Sequence, residues 1–205
     1  MTTRSRSISH GAAQNITRHR VQTHTQPGNC VHVSTGDVAT SNKPVIMRTI
    51  LGSCVAVCLY DPSVPAGGMN HILLPGSYLD GRSTRLGVYA MELLINELMK
   101  LGGDRRRFVA KAFGGANVMR GLKTTTIGDD NADFVRNFLA AERIPMVAER
   151  LGGNHAVEIS FSTDSGRAVV RSIDGSELPK LIRAEDCYRR SRIAETNSFG
   201  EITLF

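Results

Sequence analysis

The alternation of apolar and polar positions changes character at Val31. Residues 1–30 are polar, unpatterned and poor in large apolar side chains, the composition of a disordered or loosely attached basic tail. Beyond them, "VHVSTGDVAT" and "KPVIMRTI" are rich in β-branched residues and predict strands. "VAVCLYD" is almost continuously apolar, as a strand buried on both faces would be. The prolines and glycines of "DPSVPAGG" predict a turn, and "MNHILLP" predicts a second strand closed by Pro75.

The clearest helix is 84–101, where Leu86, Ala90, Leu93, Leu94, Leu98 and Leu101 recur at helical spacing with Glu97 as a polar intruder. Ser83 or Thr84 suits its start and Gly102 its end. "RFVAKAF" predicts a strand, and "GGANVMRG" a pair of glycines leading into a short helical turn. Asp129 or Asp130 suits the cap of a helix over "NADFVRNFLAAERI", which Pro145 stops. "MVAERL", "HAVEISFS" and "RAVVRSI" read as strands, the last two joined by a hairpin turn at Asp164, Ser165 and Gly166. The order is strands, helix, strand, helix, strands. It predicts one α/β (α+β) domain over residues 31–205, with two main helices packed on a mixed sheet.

Composition narrows the function classes. With 205 residues and 41% hydrophobic content the chain can bury one sizeable core, and without tryptophan that core is aliphatic. No apolar run reaches the length of a membrane span, and the N-terminus lacks the apolar region of a secretory signal, so the expected place is the cytoplasm, without membrane insertion. The net charge is +6, with Arg4, Arg6, Arg18 and Arg20 ahead of the first acid, Asp37, and Arg189, Arg190 and Arg192 near the other end. These clusters lack interleaved aromatics and any nucleic-acid-binding motif, so they read as solvated ends or as attraction to an acidic protein surface, not as a nucleic-acid site. Four cysteines make neither a disulfide framework nor a zinc site at these spacings, so no metal is expected and the compartment reads as reducing.

The chemistry-bearing stretch runs from Arg48 to Pro75 and holds Cys54, Cys58 and His71. A free thiol is only a few per cent thiolate at neutral pH, and an imidazole can take its proton and later pass one to a leaving amine. Cys54 follows Leu-Gly-Ser at the entrance to a strand, where free amides from Gly52 to Val55 could hold an oxyanion. Cys58 lies mid-strand and reads as a small core hydrophobe. Buried inert cysteines and hydrogen-bonded sheet histidines are common, so the packing reading of Cys54 and His71 stands beside the catalytic one. Geometry sharpens the choice. A plain hairpin about "SVPA" sets His71 opposite Cys58 and leaves Cys54 roughly 13 Å further along.

Taken together, "TILGSCVAVCLYDP", "GGMNHILLP", "KAFGGANVM", "IGDDNADFVRNFL" and "LGGNHAVEISFSTDSGRAVVR" resemble the CheD family, the chemoreceptor glutamine deamidases of bacterial chemotaxis. The resemblance covers about residues 33 to 205 and leaves the tail uncovered. It implies a layered sandwich similar to the deamidase domain of cytotoxic necrotizing factor toxins. It also implies hydrolysis of glutamine side chains on methyl-accepting chemotaxis proteins through a cysteine thioester, without a cofactor, at receptor arrays. By residue, it implies Cys54 as nucleophile, His71 as base and Thr49 as third member, with Gly52 and Ser53 in the oxyanion site. Gly114 and Gly115 would let backbone approach the site, or simply make a tight strand-to-helix turn. Some relatives bind a CheC-like phosphatase, so a largely non-catalytic adaptor is the alternative. Asp130, Val157 and Glu158 stand where many members carry basic residues or a different pattern.

Overall fold

The apolar run at 55–61 becomes a central strand, and the rest of the fold is laid against its two faces. The structure, a computed structural model, describes residues 21–24, 30–74, 76, 81–117, 127–173, 179–180, 183–188 and 190. In chain order the elements are β1 (Val21–His24), β2 (Cys30–His32), β3 (Val38–Ser41), β4 (Ile46–Leu51), β5 (Val55–Asp61) and β6 (Ala66–Ile72). Then come α1 (Gly81–Lys100), β7 (Val109–Gly114), α2 (Ile127–Ala141), β8 (Met146–Leu151), β9 (Val157–Ser162) and β10 (Ala168–Ser172). A further helical stretch covers 183–188.

The strands form a six-stranded sheet, β1-β3-β6-β5-β7-β8, and a four-stranded one, β10-β9-β4-β2. The larger sheet is mixed: β5 is antiparallel to both β6 and β7, while β1–β3 and β7–β8 are parallel pairs. Helix α1 packs on β3 and β6, and α2 on β5 and β7. The element order predicts helices packed on a mixed sheet; the smaller sheet, closing over the opposite face, adds a further layer and gives a layered α/β sandwich. Strand β5 serves both cores. Val55, Val57 and Leu59 face Leu94, Leu98 and Val135 on the helix side. Ala56 and Cys58 face Met47, Met69 and Phe161 between the sheets. Burial on both faces explains why the segment shows no polar alternation.

Several boundaries differ from the periodicity. The stretch "VHVSTGDVAT" is two strands, because a turn at Thr35 and Gly36 carries the chain from the smaller sheet (β2) to the larger (β3). Gly67 and Gly68, expected in the turn, belong to β6. They are required by close packing: a Cβ at Gly68 would collide with the Ala39 carbonyl, and one at Gly67 with the Thr163 backbone. Helix α1 starts at Gly81, and α2 at Ile127, so Asp129 and Asp130 lie inside the first turn of α2, where acids suit the helix dipole. Residues 21–24, within the expected tail, pair with β3 as β1. The remainder of that tail up to residue 29, and the helical turn expected after Gly115, lie outside the described residues, save 117 and its neighbour 116.

Candidate active site

Two sheets meet at the site, and strand periodicity aims one residue from each into the gap. In β4, Met47, Thr49 and Leu51 are buried and alternate with more exposed neighbours, so Thr49 faces the inter-sheet core. In the β5–β6 ladder His71 pairs with Ala56, and Cys58 pairs with Met69. The glycines taken up by β6 move the hairpin two residues from the register expected of "SVPA". His71 thus shares the inner face of Ala56, and Cys54, two residues before Ala56, stands diagonally to it. In a regular ladder that relation spans about 7–8 Å, in place of the longer separation expected; Cys58, two residues after Ala56, takes the opposite diagonal, so the register brings the two thiols equally near and the loop around Cys54 is what separates them.

The imidazole is tied at both nitrogens. Thr49 Oγ1 donates to the Val33 carbonyl at 2.7 Å and lies 2.8 Å from His71 Nδ1. A hydroxyl has one hydrogen, so with that hydrogen on Val33 the short contact needs Nδ1–H as donor. Nε2 is then the lone-pair nitrogen, and Thr35 Oγ1 lies 3.3 Å from it. The same Thr35 side chain also acts on the Cys54 thiol, in the sense that favours the thiolate. Thr49, His71 and Thr35 therefore form one connected polar path through the inter-sheet gap, with the Cys54 thiol beside Thr35.

The loop 52–54 carries the chain from β4 in one sheet to β5 in the other. Its carbonyls are held from behind. The Ala116 amide donates to Gly52 O at 2.7 Å, Asn131 Nδ2 to Ser53 O at 2.9 Å, and the Gly115 amide to Cys54 O at 2.7 Å. Gly114 and Gly115 take φ of 103° and 67°, and a Cβ on Gly114 would run into the Cys54 carbonyl. Only glycine suits that close approach. With the carbonyls turned back, the amides of Gly52, Ser53 and Cys54 converge on one point. The Glu185 carboxylate occupies it, accepting from Gly52 N at 3.0 Å, Ser53 N at 3.2 Å, Cys54 N at 3.4 Å and Ser53 Oγ at 2.6 Å.

Burial sets the protonation states. Cys54 is fully enclosed, and burial, followed by the Glu185 carboxylate, pushes its thiol well above the ordinary range. Thr35 acts in the opposite sense. Burial also pushes His71 down to about 4, against the attraction of Glu185. Both groups are thus neutral at neutral pH, the state from which a thiol can hand its proton to an imidazole. Beside them lies a cavity of about 330 Å³ lined by Thr35, Thr49, His71, His32, Lys180 and Ala184 among others. Among the described residues, no three His, Cys, Asp or Glu side chains are grouped to hold a metal ion.

The structure thus gathers Thr49, Gly52, Ser53, Cys54 and His71, with Gly114 and Gly115 directly behind the loop. Three participants were not singled out from the sequence. Thr35 falls within a strand that the β-branched pattern predicts, although the Ser34–Asp37 cluster of small polar residues and glycine is a loop signal. Asn131 was read only as a helix residue. Glu185 gave no signal, since 131 positions separate it from Cys54. Of the departures from the family pattern, Val157 is buried in the inter-sheet core and Glu158 pairs with Arg171 at 2.8 Å. Asp130 lies in the first turn of α2.

Comparison with known proteins assigns these motifs to a family. A family model described as CheD chemotactic sensory transduction matches residues 73–172. A protein of Burkholderia vietnamiensis, named "Probable chemoreceptor glutamine deamidase CheD", is 48% identical over 197 residues, 92% of this chain and 79% of that one. A Stenotrophomonas maltophilia protein of the same name is 46% identical over 160 residues, 78% of this chain and 80% of that one. The chain belongs to the CheD family. The structure of Bacillus licheniformis hypothetical protein YfiH aligns at a TM-score of 0.39 and 16% identity, over 55% of this chain and 49% of that one. Among the described residues no helix is long and apolar enough to cross a membrane.

Proposed function

We propose that this chain, acting in the cytoplasm as a single domain over residues 31–205, hydrolyses glutamine side chains of chemoreceptors to glutamate and ammonia. The observation that carries the reading is the alignment of a buried thiol, a neutral imidazole and three convergent amides in a chain nearly half identical to proteins named as such deamidases. His71 Nε2 draws the Cys54 proton, through or past the Thr35 hydroxyl. The thiolate attacks the side-chain carboxamide carbon. The amides of Gly52, Ser53 and Cys54 hold the resulting oxyanion, a role usually worth about 3–4 kcal/mol of barrier per donor. The protonated imidazole passes its proton to the departing ammonia, leaving a glutamyl thioester. Water, deprotonated by the same nitrogen, then cleaves the thioester and restores the thiol. Thr49 keeps Nδ1 protonated and so keeps Nε2 basic. One water is consumed and one ammonia released, and no group in this sequence needs a cofactor.

The test is to incubate cytoplasmic receptor fragments with the wild type and with Cys54→Ala and to map the products by peptide mass spectrometry. Glutamine-to-glutamate conversion is expected only with the wild type. Equal conversion in both would sink the reading, and chain cleavage instead of side-chain conversion would replace it with a peptidase.

A further inference from the structure

The reaction leaves two features unexplained: the oxyanion cradle is already filled, and the nucleophile is sealed from solvent. Glu185 is 6% exposed and Cys54 is 0% exposed. The cradle is filled from the helical stretch 183–188. That stretch meets the site along one face. Glu185 reaches the three loop amides and Ser53 Oγ. Tyr188, three residues on, lies over Gly36 and shares a small hollow with His71 and Leu73. Ala184 and Lys180 line the cavity beside His71. What is presented to the cradle is a glutamate side chain carried on a helix, and a glutamate side chain is the chemical product of glutamine deamidation.

We infer that the 183–188 helix occupies the substrate subsite as an intramolecular product mimic. The amides of Gly52, Ser53 and Cys54 bind the head group of a helix-borne glutamine or glutamate, and this chain's own Glu185 holds that subsite until a substrate helix displaces it. The inference rests on the deamidase reading for the identity of the substrate, but the block itself can be measured without turnover. A carboxylate makes stronger bonds to these amides than a neutral carboxamide does. The incoming helix must therefore compete through contacts beyond the cradle, on the surface that Tyr188 and Ala184 now cover.

The full chain, Glu185→Ala and Tyr188→Ala are compared in two assays, with folding checked by circular dichroism. The first is the rate of iodoacetamide alkylation at Cys54, followed by peptide mass spectrometry. The second is deamidation of receptor fragments. Loss of charge-assisted bonds of the usual strength predicts Cys54 alkylation about 10–100-fold faster in Glu185→Ala. The KM for receptor fragments should fall while kcat changes little. Unchanged alkylation in both folded variants, with receptor deamidation intact, would overturn the block and leave the function standing. Faster alkylation with no receptor conversion by any form would overturn the function and leave the block. Glu185→Gln adds a direct test, because it puts the substrate's carboxamide in the cradle. With water as co-reactant, that amide should convert to the acid and release ammonia, and it should persist when Cys54→Ala is combined with it. A persisting amide in a variant that still deamidates receptors would overturn the assignment of the cradle.

Discussion

Cys54 and Cys58 lie four residues apart on one strand path, on the same face, and both are fully buried. They differ in what the backbone around them is doing. In the middle of β5 the main chain is bonded into β6 and β7 on both sides, and Cys58 sits across from Met69 and Lys111. Burial pushes its thiol far up, with only Lys111 acting the other way. At the end of the strand no neighbouring ladder takes the amides of 52–54, and a side chain, Glu185, accepts from them instead. There Cys54 also meets Thr35, and through it His71. What sets Cys54 apart from Cys58 is thus the end of a ladder. Exposure does not distinguish it, because the two thiols are equally hidden.

That contrast can be broken first at the two thiols. Cys54→Ala is expected to abolish deamidation of receptor fragments, whereas Cys58→Ala keeps the wild-type rate. Loss of activity in Cys58→Ala with an unchanged melting curve would mean that the mid-strand thiol takes part. Next in size, His71→Ala should lower kcat about 10²–10⁴-fold, the usual contribution of a positioned acid–base group, in steady-state assays. A smaller effect follows at Thr49. Thr49→Val leaves the Nδ1–H of a buried imidazole only the longer contact to the Val33 carbonyl, at 3.3 Å, and the weakened bond should cost about 1 kcal/mol, or roughly 5–10-fold in rate. Thr49→Ser should restore most of it, and failure to do so would mean that the methyl group, through packing, is what matters.

The remaining effects concern stability. His71 is held at about 4, against 6.5 for an ordinary histidine. Between those values the unfolded chain binds a proton that the folded chain refuses, so stability is full above the upper value and falls as pH drops toward the lower. The loss is on the order of 2–3 kcal/mol. Urea titrations at several pH values should show this slope reduced in His71→Gln. An equal slope would place the titration elsewhere. Smallest of all, Cys58→Ala should lower stability by about 1 kcal/mol, the loss of a small buried group.

The fold and much of the site were legible because local patterns report local causes. The apolar continuity of Val55–Asp61 reflects burial on two faces, and the helical spacing from Leu86 to Leu98 reflects one apolar side packed on a sheet. Leu-Gly-Ser before Cys54 marked the loop whose amides remain unpaired within a ladder. What was illegible depended on distant backbone. Gly67 and Gly68 looked like turn residues, and only the approach of Ala39 and Thr163 explains them as strand residues. Reading them as a turn shifts the hairpin by two residues and sets His71 opposite Cys58, where the observed register sets it opposite Ala56. Glu185 was beyond reach for a similar reason. One helical glutamate resembles any other until the chain returns it to a loop formed far earlier.

The loop itself has a consequence for inheritance. A cradle made of main-chain amides cannot be deleted by exchanging the side chains that form it, since every residue but proline supplies an N–H. What mutation can remove is the scaffolding on the carbonyl side: the glycine pair 114–115 and the Asn131 carboxamide, which grips Ser53 O with one atom and the Leu74 amide with the other, at 2.9 and 2.8 Å. The most fragile part of the cradle is therefore encoded in residues that never meet a substrate. Drift at those positions would silence the enzyme while Cys54, His71 and Thr49 stayed in place.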